Sequence, residues 1–237
     1  MAYDNTEALL ERLRQMGDEK YRAFNEGLIP GGQPSLGVRV PELRAIAKEI
    51  LRGDWRTFLE DSREHPLHEM RMLHGMVLGG AKCDMEEKLL LTEIFLPHMG
   101  NWAVCDALCA SLRPRKGEEG WLFAFSIGCA SSRRGLGRRL GLILMMSYFR
   151  EPPYIDDVMR LYRHFEDPDY YARMGAAWGL ATLFPYAREQ ALEILRDGEW
   201  DVFTHNKAIQ KMIESRRVSD ADKAMLRGLK RKKGDKP

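Results

Sequence analysis

The sequence predicts an all-α fold, a solenoid of antiparallel helix pairs of the HEAT type. Three observations carry that expectation. Apolar residues recur at spacings of three and four almost throughout, as in Leu9, Leu10, Leu13 and Met16, which is the period of a helix with one buried face. No stretch sustains the alternation of a strand for long. Distinctive helices also return at nearly one interval: Arg139 follows Trp102 by 37 residues, and Trp178 follows Arg139 by 39. A period near 40 is that of HEAT-type helical hairpins. Stacked repeats set equivalent helices side by side along one curved surface. Trp102, Asp106, Arg139 and Trp178 are therefore expected to share one concave wall.

Each element has a local reason. An N-terminal helix occupies 1–17, and Asp18 is the cap of a second that runs to about Gly27. IPGGQPSLG, residues 29–37, is the one long loop rich in glycine and proline. Pro41 suits the first turn of a third helix, and Gly53 its exit. Further helices are expected over 54–61, 65–80, 85–99, 101–112, 117–131, 134–149, 152–165, 168–183, 186–197, 204–215 and 219–231. Asp84, Asn101, Asp167 and Ser219 are the expected N-caps, and His205 is read as serving a helix start. Connections are short, as between antiparallel helices. No linker divides the chain, so 1–237 reads as one domain with a frayed basic end at 229–237.

Composition narrows the classes. With 44% hydrophobic residues the chain fills a core and is not globally disordered. The formal net charge is only +2, but RRGLGRR at 133–139, Arg216–Arg217 and LKRKK at 229–233 concentrate positive charge. Such clusters suit a polyanion or simply face solvent. Cys83, Cys105, Cys109 and Cys129 form no CxxC pair and read as small apolar groups in a reducing cytoplasm. The charged start MAYDNTEALLERLRQ is no signal peptide, and no apolar run approaches ~18 residues, so no membrane segment is expected. His65, His68 and His74 lack the HExxH spacing, and no metal is expected there. There is no nucleophile elbow, P-loop or GxGxxG.

The candidate wall rests on a few residues. Trp102 and Asp106, four apart, share a helix face. Aspartate disfavours a helix interior, so Asp106 among Ala103, Val104, Cys105, Ala107 and Leu108 needs a reason. A salt bridge or a cap to a neighbouring helix would supply one, as would an ionised carboxylate facing a cationic centre. Arg133, Arg134, Arg138 and Arg139 precede the apolar run LGLILMMSYF. Arginines at a helix start oppose the dipole, so they read either as surface residues or as holders of a phosphate. Trp178 stands among Gly175, Ala176, Ala177 and Gly179, small neighbours that permit close packing and leave the indole projecting.

GVRVPELRAIAKEI (37–50), NWAVCD (101–106), RRLGLILMMSYF (138–149) and YYARMGAAWGLATLF (170–184) together resemble the AlkD-like DNA alkylation repair glycosylases, over roughly residues 18–217. The resemblance implies a right-handed superhelix of HEAT-like repeats. It implies excision of cationic alkylated purines, chiefly 3-methyladenine and 7-methylguanine, from duplex DNA. The catalytic roles fall on Asp106, Trp102 and Trp178, and the active-site arginine on Arg139. Arg138, Arg134, Arg133, Arg173 and Tyr21 are the remaining DNA-binding candidates. No cofactor and no metal are implied, and the protein is expected to be a cytoplasmic monomer. One departure stands out. The helix after the second tryptophan usually continues WxLRE, whereas Ala181 and Thr182 here replace the charged pair. The rival readings are a non-catalytic helical scaffold for DNA or protein, a glycosylase for bulky adducts, and a protein adaptor.

Overall fold

The computed structural model describes residues 5–29 and 32–232, and for Ser132 the backbone alone. Pro30 and Gly31 of the long loop, and 233–237 of the basic end, lie outside the described residues. Among the described residues there are fourteen α-helices, one 3-10 turn and no strand. The all-α class therefore holds. None of these helices is long and apolar enough to cross a membrane. The chain falls into two compact units, the first ending at Leu122 and the second starting at Phe123.

The first unit holds α1 (Thr6–Gln15), α2 (Glu19–Glu26), α3 (Val40–Ile50), α4 (Trp55–Ser62), α5 (His68–Gly80), α6 (Met85–Phe95) and α7 (Trp102–Ser111). A 3-10 turn, Leu96–His98, follows α6, and α8 (Glu119–Ser132) carries the division. Helix α5 is the hub. It is buried from His68 to Gly79 except for Arg71, and it packs on α3, α4, α6 and α7. Its glycines set the approach of α7. A Cβ on Gly79 would lie 2.5 Å from Ser111 Cβ, and one on Gly75 3.2 Å from Leu108 Cβ. Asp18, Asp84 and Asn101 cap α2, α6 and α7 as expected, each side chain accepting backbone N–H groups of the first turn.

The second unit holds α9 (Leu136–Tyr148), α10 (Ile155–Arg163), α11 (Tyr170–Leu183), α12 (Arg188–Asp197), α13 (Val202–Glu214) and α14 (Asp220–Gly228). Helix α11 is its hub, against α9, α12 and α13. Ser219 caps α14 as expected. The cap of α11, however, is Asp169, whose Oδ1 accepts from Tyr171 and Ala172 N–H. Asp167 instead accepts from Asp169 N–H at 2.8 Å and Gly135 N–H at 3.3 Å, so it fastens the turn before the helix. His205 also differs from expectation. Asp201 caps α13, and His205 lies buried inside that helix with Nε2 2.9 Å from the Leu229 carbonyl.

The segment after α14 is not frayed through residue 232. Arg231 donates to the carbonyls of Trp200 at 2.7 Å and Gly198 at 3.0 Å, at the end of α12. Asn206 pairs with both the N–H and the C=O of Arg231, at 3.0 and 2.8 Å. A guanidinium is favoured at carbonyls left unpaired beyond a helix end, which is why this stretch of basic chain is docked.

Buried histidines make the fold sensitive to acid. His74 is held at about 3, chiefly by burial, with the charges of Arg63 and His98 adding to it. His68, His65 and His205 are lowered too, with burial the leading cause for each. The unfolded chain takes up protons near 6.5 while the folded one resists, so stability is full above 6.5 and falls as pH drops toward 3. His74 alone is expected to remove about 2 kcal/mol between pH 7.5 and pH 5. Urea unfolding of wild type and His74→Phe at both values checks this; the variant should lose less.

Candidate functional site

The first unit places Trp102 and Asp106 on one face of α7, as their spacing predicts. The adjoining seam, Val104, Cys105, Leu108 and Cys109, is fully buried. Trp102 and Asp106 are both half-buried. The start of the helix is tightly determined. Asn101 Oδ1 accepts from Ala103 and Val104 N–H at 3.0 and 3.2 Å. Its Nδ2 donates to Gln33 Oε1 at 3.1 Å and lies 3.2 Å from His68 Nδ1. Gly100, at φ 74°, allows this closeness, since a Cβ there would sit 1.7 Å from Gln33 Nε2. The Trp102 indole N–H donates to the Leu28 carbonyl at 3.1 Å, which fixes the ring plane.

The end of the loop that supplies Gln33 is gathered on one oxygen. Glu69 Oε1 accepts from the N–H groups of Leu36, Gly37 and Val38 and from Ser35 Oγ, at 2.9–3.3 Å. Glu69 is buried, and among the described residues its Oε2 has no partner. Tyr21, on α2, has the Arg39 guanidinium 4.9 Å from its ring centre. Arg39 in turn pairs with Asp18 at 2.8 Å. Gln33 and Glu69 were not candidates in the sequence, and His68 was weighed there only as a metal ligand. Glu69 looks there like any acidic residue in a first helical turn, and its loop is more than thirty residues away.

The second unit brings Arg139 and Trp178 onto the packed pair α9 and α11. Arg139 is buried, with 4% of its surface exposed. It donates to the Tyr171 carbonyl at 3.0 Å. Gly175 makes room for it, since a Cβ there would be 3.1 Å from Arg139 Cγ. The Arg139 guanidinium is thus tied to this helix pair. Arg139→Ala is expected to cost about 2–3 kcal/mol in unfolding free energy through the lost hydrogen bond and the cavity left at a buried site. A urea midpoint equal to wild type would contradict this. Trp178, on α11 one turn after Gly175, is 38% exposed. Thr182, at the departure from the usual charged pair, donates back to the Trp178 carbonyl at 2.9 Å, and Ala181 is buried.

The other arginines divide by role. Arg134, Arg138 and Arg173 line one open cleft of about 830 Å³ with Glu166, Asp167 and Asp201. Arg138 donates to the Glu166 carbonyl and lies 3.5 Å from Asp167. Arg173 lies 3.5 Å from Asp201 and 4.6 Å from the Phe203 ring centre. Arg133 is half-buried, while Arg134 is exposed. Cys105, Cys109 and Cys129 are buried and Cys83 half-buried, none of them in a disulfide. Among the described residues, no three His, Cys, Asp or Glu side chains are grouped to hold a metal ion.

The predicted residues thus fall into two sets, Trp102 and Asp106 on α7 in one unit, Arg139 and Trp178 on the packed helices α9 and α11 in the other. A carboxylate and indole faces suit chemistry at a centre that gains positive charge; a guanidinium suits an anion instead. Residues 9–183, which contain both sets, match the family described as DNA alkylation repair enzyme. The chain belongs to this family, whose role is DNA repair. No curated protein matches the chain.

Proposed function

We propose that the protein is a DNA glycosylase that hydrolyses the N-glycosidic bond of cationic alkylated purines, such as 3-methyladenine and 7-methylguanine, in duplex DNA. The observation that carries this reading is the placement of Trp102 and Asp106 on one half-buried face of α7, within the region that matches the repair family. The C1′–N bond breaks as positive charge grows on the sugar. The alkylated purine is already cationic, so it takes the bonding electrons and leaves neutral. No general acid is needed, which fits one carboxylate instead of two. Asp106 stabilises the sugar cation and orients the water that adds to C1′. The water's second proton passes to solvent.

Trp102 and Trp178 support the cation through their ring faces, each contributing ~0.5–2 kcal/mol. A HEAT-like superhelix, and action in the cytoplasm as a monomer without cofactor or metal, belong to the same reading. Arg134 is the most accessible of the predicted phosphate contacts. Arg134→Ala is expected to weaken duplex binding evenly across sequences and to lower the slope of log K against log salt by about 1. An unchanged slope would exclude that contact.

The direct test is release of free base from methylated duplex DNA by the purified chain. Liberated 7-methylguanine is expected in excess of spontaneous loss. Binding without release would favour a helical scaffold that holds DNA without acting on it.

A further inference from the structure

A second cleft, of about 340 Å³, opens in the first unit at α4, α5 and α6. Trp55, Leu59, Leu91 and Ile94 give it an apolar side. Its charges balance, with Arg56 and Arg63 against Glu60 and Glu87. Arg56 is spent on Glu87 at 2.6 Å and lies 4.2 Å from the Trp55 ring centre. Such a rim selects neither anions nor cations.

His74 lines the same cleft, and its chemistry is determined by its neighbours. It is 2% exposed and stacks on Phe95 with ring centres 3.9 Å apart. Ser62 Oγ, fully buried, donates its one proton to the Phe58 carbonyl at 2.6 Å. The 2.9 Å contact of Ser62 Oγ with His74 Nδ1 must then be donated by the imidazole. The ring stays neutral across the physiological range, because burial holds its proton affinity far down. In a neutral imidazole with Nδ1–H, Nε2 carries a bare lone pair. No hydrogen bond to that atom is formed among the described residues, and His74 is one of the residues that line the cleft. The cleft therefore offers a fixed hydrogen-bond acceptor beside apolar side chains, with a volume in the range of small-ligand sites.

We propose that this cleft binds a small, neutral aromatic molecule that donates one N–H or O–H hydrogen bond to His74 Nε2. The glycosylase reading gives this site no task, and the site stands or falls without it. Indole is the probe, with 1-methylindole as the same shape lacking the donor. The full chain, labelled with 15N at histidine, is titrated with each. Indole is expected to shift the His74 Nε2 resonance saturably and to bind about tenfold tighter than 1-methylindole, the worth of one hydrogen bond. His74→Phe, which keeps a ring on Phe95, should erase the difference between the two. If that variant does not fold, the wild-type comparison decides alone. Equal affinity for the two probes, or no saturation by about 10 mM indole, the weak-binding limit, would overturn the proposal.

Discussion

Asp106→Asn is expected to slow release of 7-methylguanine by about 10²–10³-fold, the usual effect of removing one preorganised electrostatic group. The amide keeps the size of the side chain and loses its charge. Helix α7 should survive, because its seam of Val104, Cys105, Leu108 and Cys109 and its Asn101 cap are untouched. Duplex affinity should stay within about twofold, since the carboxylate acts on charge that develops only as the bond breaks. Released base and gel-shift affinity on one methylated duplex separate the two effects. Equal release by mutant and wild type would take Asp106 out of the chemistry. Lost binding with lost release would place it in recognition instead.

Gly179→Ala is expected to lower unfolding free energy by about 3 kcal/mol, at the upper end of overpacking effects. The added Cβ would meet Tyr162 Oη at 1.9 Å and Cζ at 2.5 Å. Tyr162 cannot retreat. It is fully buried, and its hydroxyl donates to the Leu142 carbonyl at 2.9 Å. At about 2–4 °C per kcal/mol for a chain of this size, the melting temperature should fall by roughly 10 °C. Tyr162→Phe in the same background should recover part of the loss, because the worst contact is with the hydroxyl. Strict additivity of the two changes would show that the clash is relieved elsewhere.

The helices were legible in the sequence because their caps announce themselves. Asp18, Asp84, Asn101 and Ser219 each stand before an apolar-periodic run, and each caps the helix it precedes. Asp167 and Asp169 show the limit. Both precede the same helix, and only the turn that also holds Gly135 decides which of them caps it. Helix starts slipped where glycine takes a positive φ, as at Gly117 and Gly135, which push α8 and α9 two residues later than expected. The face shared by Trp102 and Asp106 was readable from spacing alone. The surroundings of Arg139 were not, because its acceptor is a backbone carbonyl on another helix, and carbonyls carry no sequence signature. Glu69 and Gln33 escaped notice for the same reason: their partners are loop groups brought near only by the fold.

The docking of Arg231 bears on how the chain tolerates shortening. Removing everything after Gly228 deletes more than spare positive charge. It uncovers two peptide oxygens, those of Gly198 and Trp200, and strips both partners from Asn206 and the acceptor from His205. Tags and truncations meant to leave the second unit intact belong beyond residue 232.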